Sequence, residues 1–138
     1  MPTTKFTLWR EQQVLLARVK GSWNRLTAED FSTQFKAEAA PLCNQAWAHI
    51  VYLDDWQLGV PEMEPVIQDL VSWCIRQRLR YVAQVYCPSM VKKYQLDKMV
   101  RDSSAGFEKR VYPSEQEAFA WLASVGFGTD SASLQQAG

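Results

Sequence analysis

Apolar and polar residues alternate along this chain with two different periods, which divide it into strands and helices. The two-residue period of β-strands covers residues 5–10, a second β-rich run covers 14–20, and the short polar stretch between these runs predicts a hairpin. A near-continuous apolar run over 47–53 is typical of a strand buried on both faces of a sheet. Further alternation over 80–87 and 107–112 predicts two more strands.

Helical spacing of apolar residues fills the intervals between the later strands. The strongest pattern covers 63–75, where apolar residues recur every three or four positions. An earlier helix is expected to begin at Thr27 as its capping residue, with Leu26 packed against Phe31 as a hydrophobic staple. A shorter and weakly amphipathic helix is expected over 88–100.

The remaining segments complete the outline of one domain. Ser114 opens a capping box for a last helix, which Gly126 ends. The segment 54–59, between a strand and a helix, is interpreted as a turn. We expect one domain over 1–127, followed by a flexible tail of small and polar residues over 128–138.

The resulting element order is β-β-α-β-α-β-α-β-α. Strands that alternate with helices form parallel sheets with right-handed crossovers, whereas the opening hairpin adds one antiparallel strand. The chain is therefore predicted to be a single α/β domain with a mixed, mostly parallel sheet, a hairpin at the sheet edge and about four helices. Its 138 residues are an ordinary length for one domain.

Composition and charge mainly exclude classes of protein. Hydrophobic residues make up 47% of the chain and charged residues 22%, which indicates a folded globular protein. Fifteen basic residues balance fifteen acidic ones, so no nucleic acid is expected, and no apolar run approaches the roughly 20 residues of a membrane span. No secretory-signal pattern follows Met1, and three widely spaced cysteines form no disulfide framework. We therefore expect a cytoplasmic protein.

Motifs for cofactors, metals and catalysis are not evident in the sequence. The six glycines form no glycine-rich phosphate loop, so no cofactor is predicted. Asp54 and Asp55 could hold a cation or act as a base, but no second acidic cluster has ligand spacing, and a helix dipole alone favours acids there. No metal site is predicted. His49 is the only histidine, and its place in an apolar run indicates a structural residue.

Three pieces of the sequence resemble one known family. They are Gly21 after the second strand, Tyr-Leu-Asp-Asp-Trp at 52–56, and the capped segment at 112–122, which carries an Ala-x-x-Trp-Leu face. With the element order, they make residues 3–126 similar to the STAS/SpoIIAA-like family. The resemblance implies that family's α/β fold and a regulatory role exerted by binding.

One feature of that family is missing from this chain. Anti-sigma-factor antagonists are regulated by phosphorylation of a Ser or Thr where the central strand meets the next helix, but residues 54–62 contain no hydroxyl side chain. The antagonist role is therefore not carried over. Ser89, at the following helix start, is the nearest substitute, although a capping role explains it as well.

Loops that follow parallel strands meet at one edge of the sheet, where ligands commonly bind. The candidate ligand-binding residues in these loops are Trp23, Asn24, Asp54, Asp55, Trp56, Cys87 and Ser89. The two tryptophans could line a pocket for a small organic ligand, or they could simply cover helix ends. Cys87 lies where backbone N–H groups favour a thiolate, although plain packing explains it more simply.

Basic residues are concentrated in a second candidate region. Residues 71–110 contain nine basic residues against three acidic ones. The candidate basic face consists of Arg76, Arg78, Arg80, Lys92 and Lys93. Such a face could bind an acidic partner or a phosphate, but most runs of this kind are solvated helix surfaces.

The sequence favours a small regulatory or interaction module that is not an enzyme. It would bind a protein partner or a small ligand, and it could form a homo-oligomer. The alternative is an enzyme that binds a small molecule at the strand edge near Asp54, Trp56 and Cys87. Neither hypothesis identifies the ligand or the partner.

Overall fold

Strands and helices alternate through the residues that the computed structural model describes, which are 5–87, 90–99 and 106–130. The strands are β1 Phe6–Glu11, β2 Val14–Val19, β3 Gly21–Trp23, β4 Trp47–Tyr52, β5 Trp56–Gly59, β6 Leu79–Val85 and β7 Glu108–Tyr112. The α-helices are α1 Arg25–Ala39, α2 Glu64–Arg76, α3 Met90–Met99 and α4 Glu115–Ser124. Short 3₁₀ helices precede β4 at Ala40–Leu42 and α2 at Pro61–Met63.

Five strands form the main sheet, in the order β1-β2-β4-β6-β7. β1 pairs antiparallel with β2, and every other pair in this sheet is parallel. The predicted α/β domain is thus confirmed, with its mostly parallel sheet, its edge hairpin and four helices. The hairpin loop has two residues, and the first, Gln12, adopts a left-handed backbone with φ of 56°.

The two faces of the sheet carry unequal helical cover. Side chains of β2 alternate between them, so that Leu15 and Ala17 point into the larger core and Leu16 into the smaller one. Helices α1, α2 and α3 bury their apolar residues in the larger core, whereas α4 covers the opposite face alone. A strand buried on both faces needs a continuous apolar run, which explains the sequence of β2.

A second, two-stranded sheet lies at the carboxyl edge of the first, and the sequence did not reveal it. Residues 56–59 were predicted to lie in a turn, but Trp56–Gly59 pairs in parallel with Gly21–Trp23. The turn prediction was therefore wrong for these residues. Gly21 links the two sheets: it has φ of 74°, and its N–H donates to the Asp55 carbonyl at 3.0 Å. Pairing between such short, distant segments leaves no local sequence pattern.

The start of α1 also corrects the sequence-based expectation. Asn24, rather than Thr27, is the capping residue, because its side-chain oxygen accepts the Thr27 N–H at 2.8 Å. The cap and the first helical residue, Arg25, thus lie three residues earlier than predicted. Leu26 is 66% exposed, so the predicted staple with Phe31 does not form. Asn and Thr are both favoured caps, and the earlier one is selected by the end of β3 at Trp23.

Asn24→Ala is expected to lower the free energy of unfolding by about 1 kcal/mol, because it removes the acceptor for the first turn of α1. Urea unfolding at neutral pH would measure this loss. Asn24→Asp keeps a capping oxygen and serves as the control with little change. Equal stability of Asn24→Ala and the parent protein would show that α1 does not depend on this cap.

Ser114 caps α4 as predicted, and its Oγ accepts the Glu117 N–H.

The packed part of the chain extends beyond residue 127. Thr129 is only 2% exposed, and Gln12 donates from Nε2 to the Asp130 carboxylate at 3.0 Å. The tail prediction for residues 131–138 lies outside the described residues.

Candidate functional site

An apolar cavity of about 100 Å³ lies between the main sheet and the three helices that cover its larger core. β2, β4 and β6 supply the sheet wall, whereas α1, α2 and α3 supply the helical wall. The small β3–β5 sheet contributes a tryptophan from each strand. The cavity is thus assembled from every layer on this side of the molecule.

Aromatic rings line one side of the cavity in a continuous row. Trp23 contacts Phe31 edge-on at a centroid distance of 5.1 Å, and Phe31 lies 5.6 Å from Phe35. Phe35 then meets the imidazole of His49 edge-on at 5.0 Å. Flat, rigid rings packed edge to face cannot easily shift to fill a void, so this row helps to keep the cavity open.

The β3–β5 sheet holds its two tryptophans inside the protein. Trp23 and Trp56 are 4% and 3% exposed, and the Trp23 indole N–H donates to the Lys20 carbonyl at 3.0 Å. Gly59 ends β5 against Met63, another lining residue, and any side chain at this position would overlap the Met63 sulfur. A larger residue here would therefore need the Met63 side chain to move out of its place in the cavity wall.

Helix α3 is fastened over the cavity by a side-chain amide. Gln95 pairs with the Gly59 peptide in both directions: the Gly59 N–H donates to its Oε1 at 3.0 Å, and its Nε2 donates to the Gly59 carbonyl at 2.7 Å. The same Nε2 contacts the Glu64 carboxylate at 3.1 Å. This attachment directs Leu96 and Met99 of α3 into the cavity wall.

His49 is a polar group within this apolar lining. Its Nδ1 lies 2.7 Å from the Leu15 carbonyl oxygen, which can only accept, so Nδ1 carries the proton and donates. The remaining ring nitrogen, Nε2, therefore keeps its lone pair. Burial disfavours the charged imidazolium and lowers the pKa of His49 to about 4, and the bond to Leu15 only partly opposes this shift.

Gln84 is the second polar residue in the lining, and it is more deeply buried than His49. It is 1% exposed, and its Oε1 has no hydrogen-bond partner among the described residues. A buried polar atom without a partner costs about 1–3 kcal/mol of stability. Gln84 thus contrasts with Gln95, whose amide is fully engaged.

The cavity destabilises the protein when it is empty. At about 24 cal/mol per Å³, a fully enclosed cavity of about 100 Å³ would cost about 2 kcal/mol, and the partial opening of this one to solvent makes its cost smaller. The orphaned oxygen of Gln84 adds to that cost at the same place. Packing defects and unsatisfied polar groups that coincide in a folded protein are expected at functional sites.

Three solved structures resemble the chain over most of its length. An uncharacterized protein from Shewanella loihica PV-4 with a SpoIIAA-like fold has a TM-score of 0.63 at 11% identity, covering 88% of this chain and 98% of that one. The anti-sigma factor antagonist SpoIIAA in its unphosphorylated form has a TM-score of 0.55 at 12% identity, covering 88% and 99%. This chain has a SpoIIAA-like fold.

An anti-sigma factor antagonist from Mycobacterium paratuberculosis has a TM-score of 0.56 at 14% identity, covering 86% of this chain and 92% of its own. No family model and no curated protein matches the sequence. The SpoIIAA-like architecture predicted from the element order is thus confirmed by structure alone. No described helix is both long enough and apolar enough to cross a membrane.

Of the described residues of the predicted edge site, the two tryptophans line the cavity and the others do not. Trp23 and Trp56 line the cavity, so neither merely covers a helix end. Asp54, Asp55 and Cys87 are exposed at the carboxyl edge, and Asp54 accepts the Cys87 backbone N–H at 2.8 Å. That bond ties the loop after β4 to the end of β6.

The other polar residues of the predicted edge site are not part of the cavity. Asn24 is exposed and occupied as a helix cap, and Ser89 lies outside the described residues. Among the residues that are described, no group of three or more His, Cys, Asp or Glu could hold a metal ion.

The candidate basic face lies at the opposite end of the SpoIIAA-like sheet from the predicted edge site. Arg76 ends α2 and is exposed. Arg78 donates to the Asn44 carbonyl in the loop before β4, and Arg80 donates to the Gly106 carbonyl before β7. These two guanidinium groups therefore tie loops on opposite sides of β6. The side chains of Lys92 and Lys93 lie outside the described part of the chain.

Sequence reasoning missed Gln84 and assigned His49 a purely structural role. Both positions lie in strands that the sequence identified, on the face that packs against the helices. A glutamine between Val82 and Tyr86 on an inward face was a detectable signal, because uncharged amides are rarely placed in a core without partners. The cavity itself has no signature in the sequence.

Proposed function

We propose that this protein is a small regulatory module that acts by binding, and that its ligand site is the cavity between the main sheet and helices α1, α2 and α3. The observation that carries the proposal is the apolar void of about 100 Å³ lined by Trp23 and Trp56. An apolar cavity of about 150 Å³ is enough for a benzene ring, so a compact ligand fits after slight relaxation. Occupancy would recover the stability that the void costs.

The similarity to anti-sigma factor antagonists supports a regulatory role, since two of the solved structures with this fold carry that name. Residues 54–62 offer no hydroxyl for a phosphate. A ligand in the core would therefore replace a phosphate on the loop as the regulating event.

The three cysteines are free thiols, which supports a reducing compartment such as the cytoplasm.

An enzymatic role at the strand edge has less support. Of the three residues on which it depends, Trp56 faces the cavity while Asp54 and Cys87 lie at the surface. The Asp54 carboxylate accepts a backbone N–H of Cys87 and makes a structural contact between loops. The arrangement supports a binding protein in preference to a catalyst.

Toluene tests the cavity, because it is apolar and compact. At ten times its dissociation constant it is expected to stabilise the protein by about 1.4 kcal/mol, measured as a rise in Tm. Tryptophan emission should change as well, and the double variant Trp23→Phe with Trp56→Phe should lose most of that change. If the double variant binds toluene and its emission still responds as fully as that of the parent, the site lies elsewhere.

A variant that fills the cavity and a control with the same substitution at the surface form a matched pair. Cys74 is buried and lines the cavity, so Cys74→Leu should occupy part of the void and abolish the toluene response while the protein stays folded. Cys87→Leu makes the same change at an exposed position and should respond like the parent. If toluene stabilises neither the parent nor Cys87→Leu, the cavity is not a ligand site. Native mass spectrometry showing only an empty dimer would instead favour a protein-interaction module.

A further inference from the structure

The lining of the cavity is apolar except at two residues, and both offer hydrogen-bond acceptors. Gln84 contributes a side-chain oxygen that has no partner among the described residues, and His49 contributes the lone pair of Nε2. The Gln84 oxygen is thus a buried acceptor with no donor opposite it among the described residues, and His49 adds a second acceptor to the same lining.

The two acceptors lie on neighbouring central strands of the sheet. His49 of β4 is paired with Val82 of β6, and Gln84 is paired with Val51. Gln84 is therefore the diagonal neighbour of His49, about 8 Å away between Cα atoms at ordinary strand spacing. One compact molecule in the cavity can reach the polar atoms of both side chains.

The protonation state of His49 follows from its backbone contact. The Leu15 carbonyl fixes the proton on Nδ1, and burial keeps the ring neutral through the physiological range. Any group that hydrogen-bonds to His49 from the cavity must therefore donate. Gln84 Oε1 imposes the same requirement, since a carbonyl oxygen only accepts.

We propose that the ligand of this cavity is a compact, uncharged molecule, a single ring or a short branched chain, that carries at least one O–H or N–H donor. This inference rests on the proposed function and specifies the chemical class of its ligand. An ion of either sign would lose its hydration to an apolar lining, because the lining residues include no Lys or Arg to pair with an anion and no Asp or Glu to pair with a cation. A neutral phenol or alcohol satisfies the acceptors and fills the void.

Phenol and toluene form the matched pair of probes, since they differ only by hydroxyl against methyl. The ratio of their dissociation constants is to be measured in the parent and in Gln84→Met, which keeps the side-chain length but removes the acceptor. Loss of one hydrogen bond should weaken phenol about tenfold and leave toluene unchanged or tighter. Gln84→Met should also raise the Tm of the free protein, because it removes an unsatisfied buried oxygen, so the variant is expected to fold.

Gln116→Met is the control, since Gln116 is exposed on α4 and the ratio should not change there. NMR of His49 in the parent protein provides a second test of the donor requirement. His49 is the only histidine, so its Nε2 has a unique ¹⁵N resonance, which should shift when phenol is added and stay in place with toluene.

The outcomes separate this inference from the proposed function. If toluene and phenol both bind and Gln84→Met weakens them equally, the donor requirement is wrong and the cavity remains a ligand site. If neither molecule binds the parent protein, both proposals fail, and an ordered water would account for the two acceptors. A tenfold change confined to phenol, together with the Nε2 shift, establishes the ligand class.

Discussion

Leu70→Ala is expected to lower the free energy of unfolding by about 3 to 5 kcal/mol, the upper range for a leucine in a packed core. Leu70 is 3% exposed on the inner face of α2 and already borders the cavity. Removing its side chain enlarges a void that the aromatic row prevents from collapsing. Urea unfolding, with a check that the slope is unchanged, would measure the loss.

Leu26→Ala is the matched control, because Leu26 carries the same side chain on α1 but is 66% exposed. Its substitution should change stability by less than about 0.5 kcal/mol. Toluene should bind Leu70→Ala more tightly than the parent, since the cavity is larger. A loss below about 0.5 kcal/mol for Leu70→Ala would show that α2 does not pack with this face inward.

Prediction from sequence succeeded where the pattern is local and periodic. The apolar spacing along 63–75 located α2 and its inward face, since a helix that packs on a sheet must repeat apolar residues every three or four positions. The continuous apolar run of β4 likewise marked a strand buried on both faces. From these elements, the order of strands and helices was enough to predict the SpoIIAA-like architecture.

The missing features depend on contacts between distant segments. β5 exists because Gly21–Trp23 lies beside it, and Asn24 caps α1 because β3 ends there. Neither the strand pairing nor the choice of cap can be inferred from the local sequence of one segment alone. The edge site was predicted from topology, which could not show that the rings of Trp23 and Trp56 are buried.

The cavity was the least predictable feature, because it is a deficit of volume among residues from five strands of two sheets and three α-helices. The lining residues are ordinary core residues by type, and only His49 and Gln84 break the apolar pattern. A void follows from how rings such as Trp23 and Phe35 fit together, which is a property of shape. Sequence can therefore place a ligand site at a face of the sheet without showing that the face is hollow.

His49 is expected to make the stability of the protein depend on pH between about 4 and 6.5. The pKa of His49 is lowered from its ordinary value of 6.5 to about 4 in the folded protein. In that window the unfolded chain binds a proton at His49 that the folded protein does not, so the free energy of unfolding falls as pH falls. The contribution is complete above pH 6.5, and by pH 4 about 3 kcal/mol has been lost.

The difference between the parent and His49→Gln isolates this effect from the carboxylates, which titrate in the same range in both proteins. Glutamine keeps a donor for the Leu15 carbonyl but does not titrate, so its stability curve should lack the loss between pH 6.5 and 4. NMR of the single imidazole would give the folded-state pKa directly. Parallel curves for the two proteins would mean that His49 has an ordinary pKa and is open to water, and the lone pair on Nε2 would then no longer be a buried acceptor reserved for a ligand.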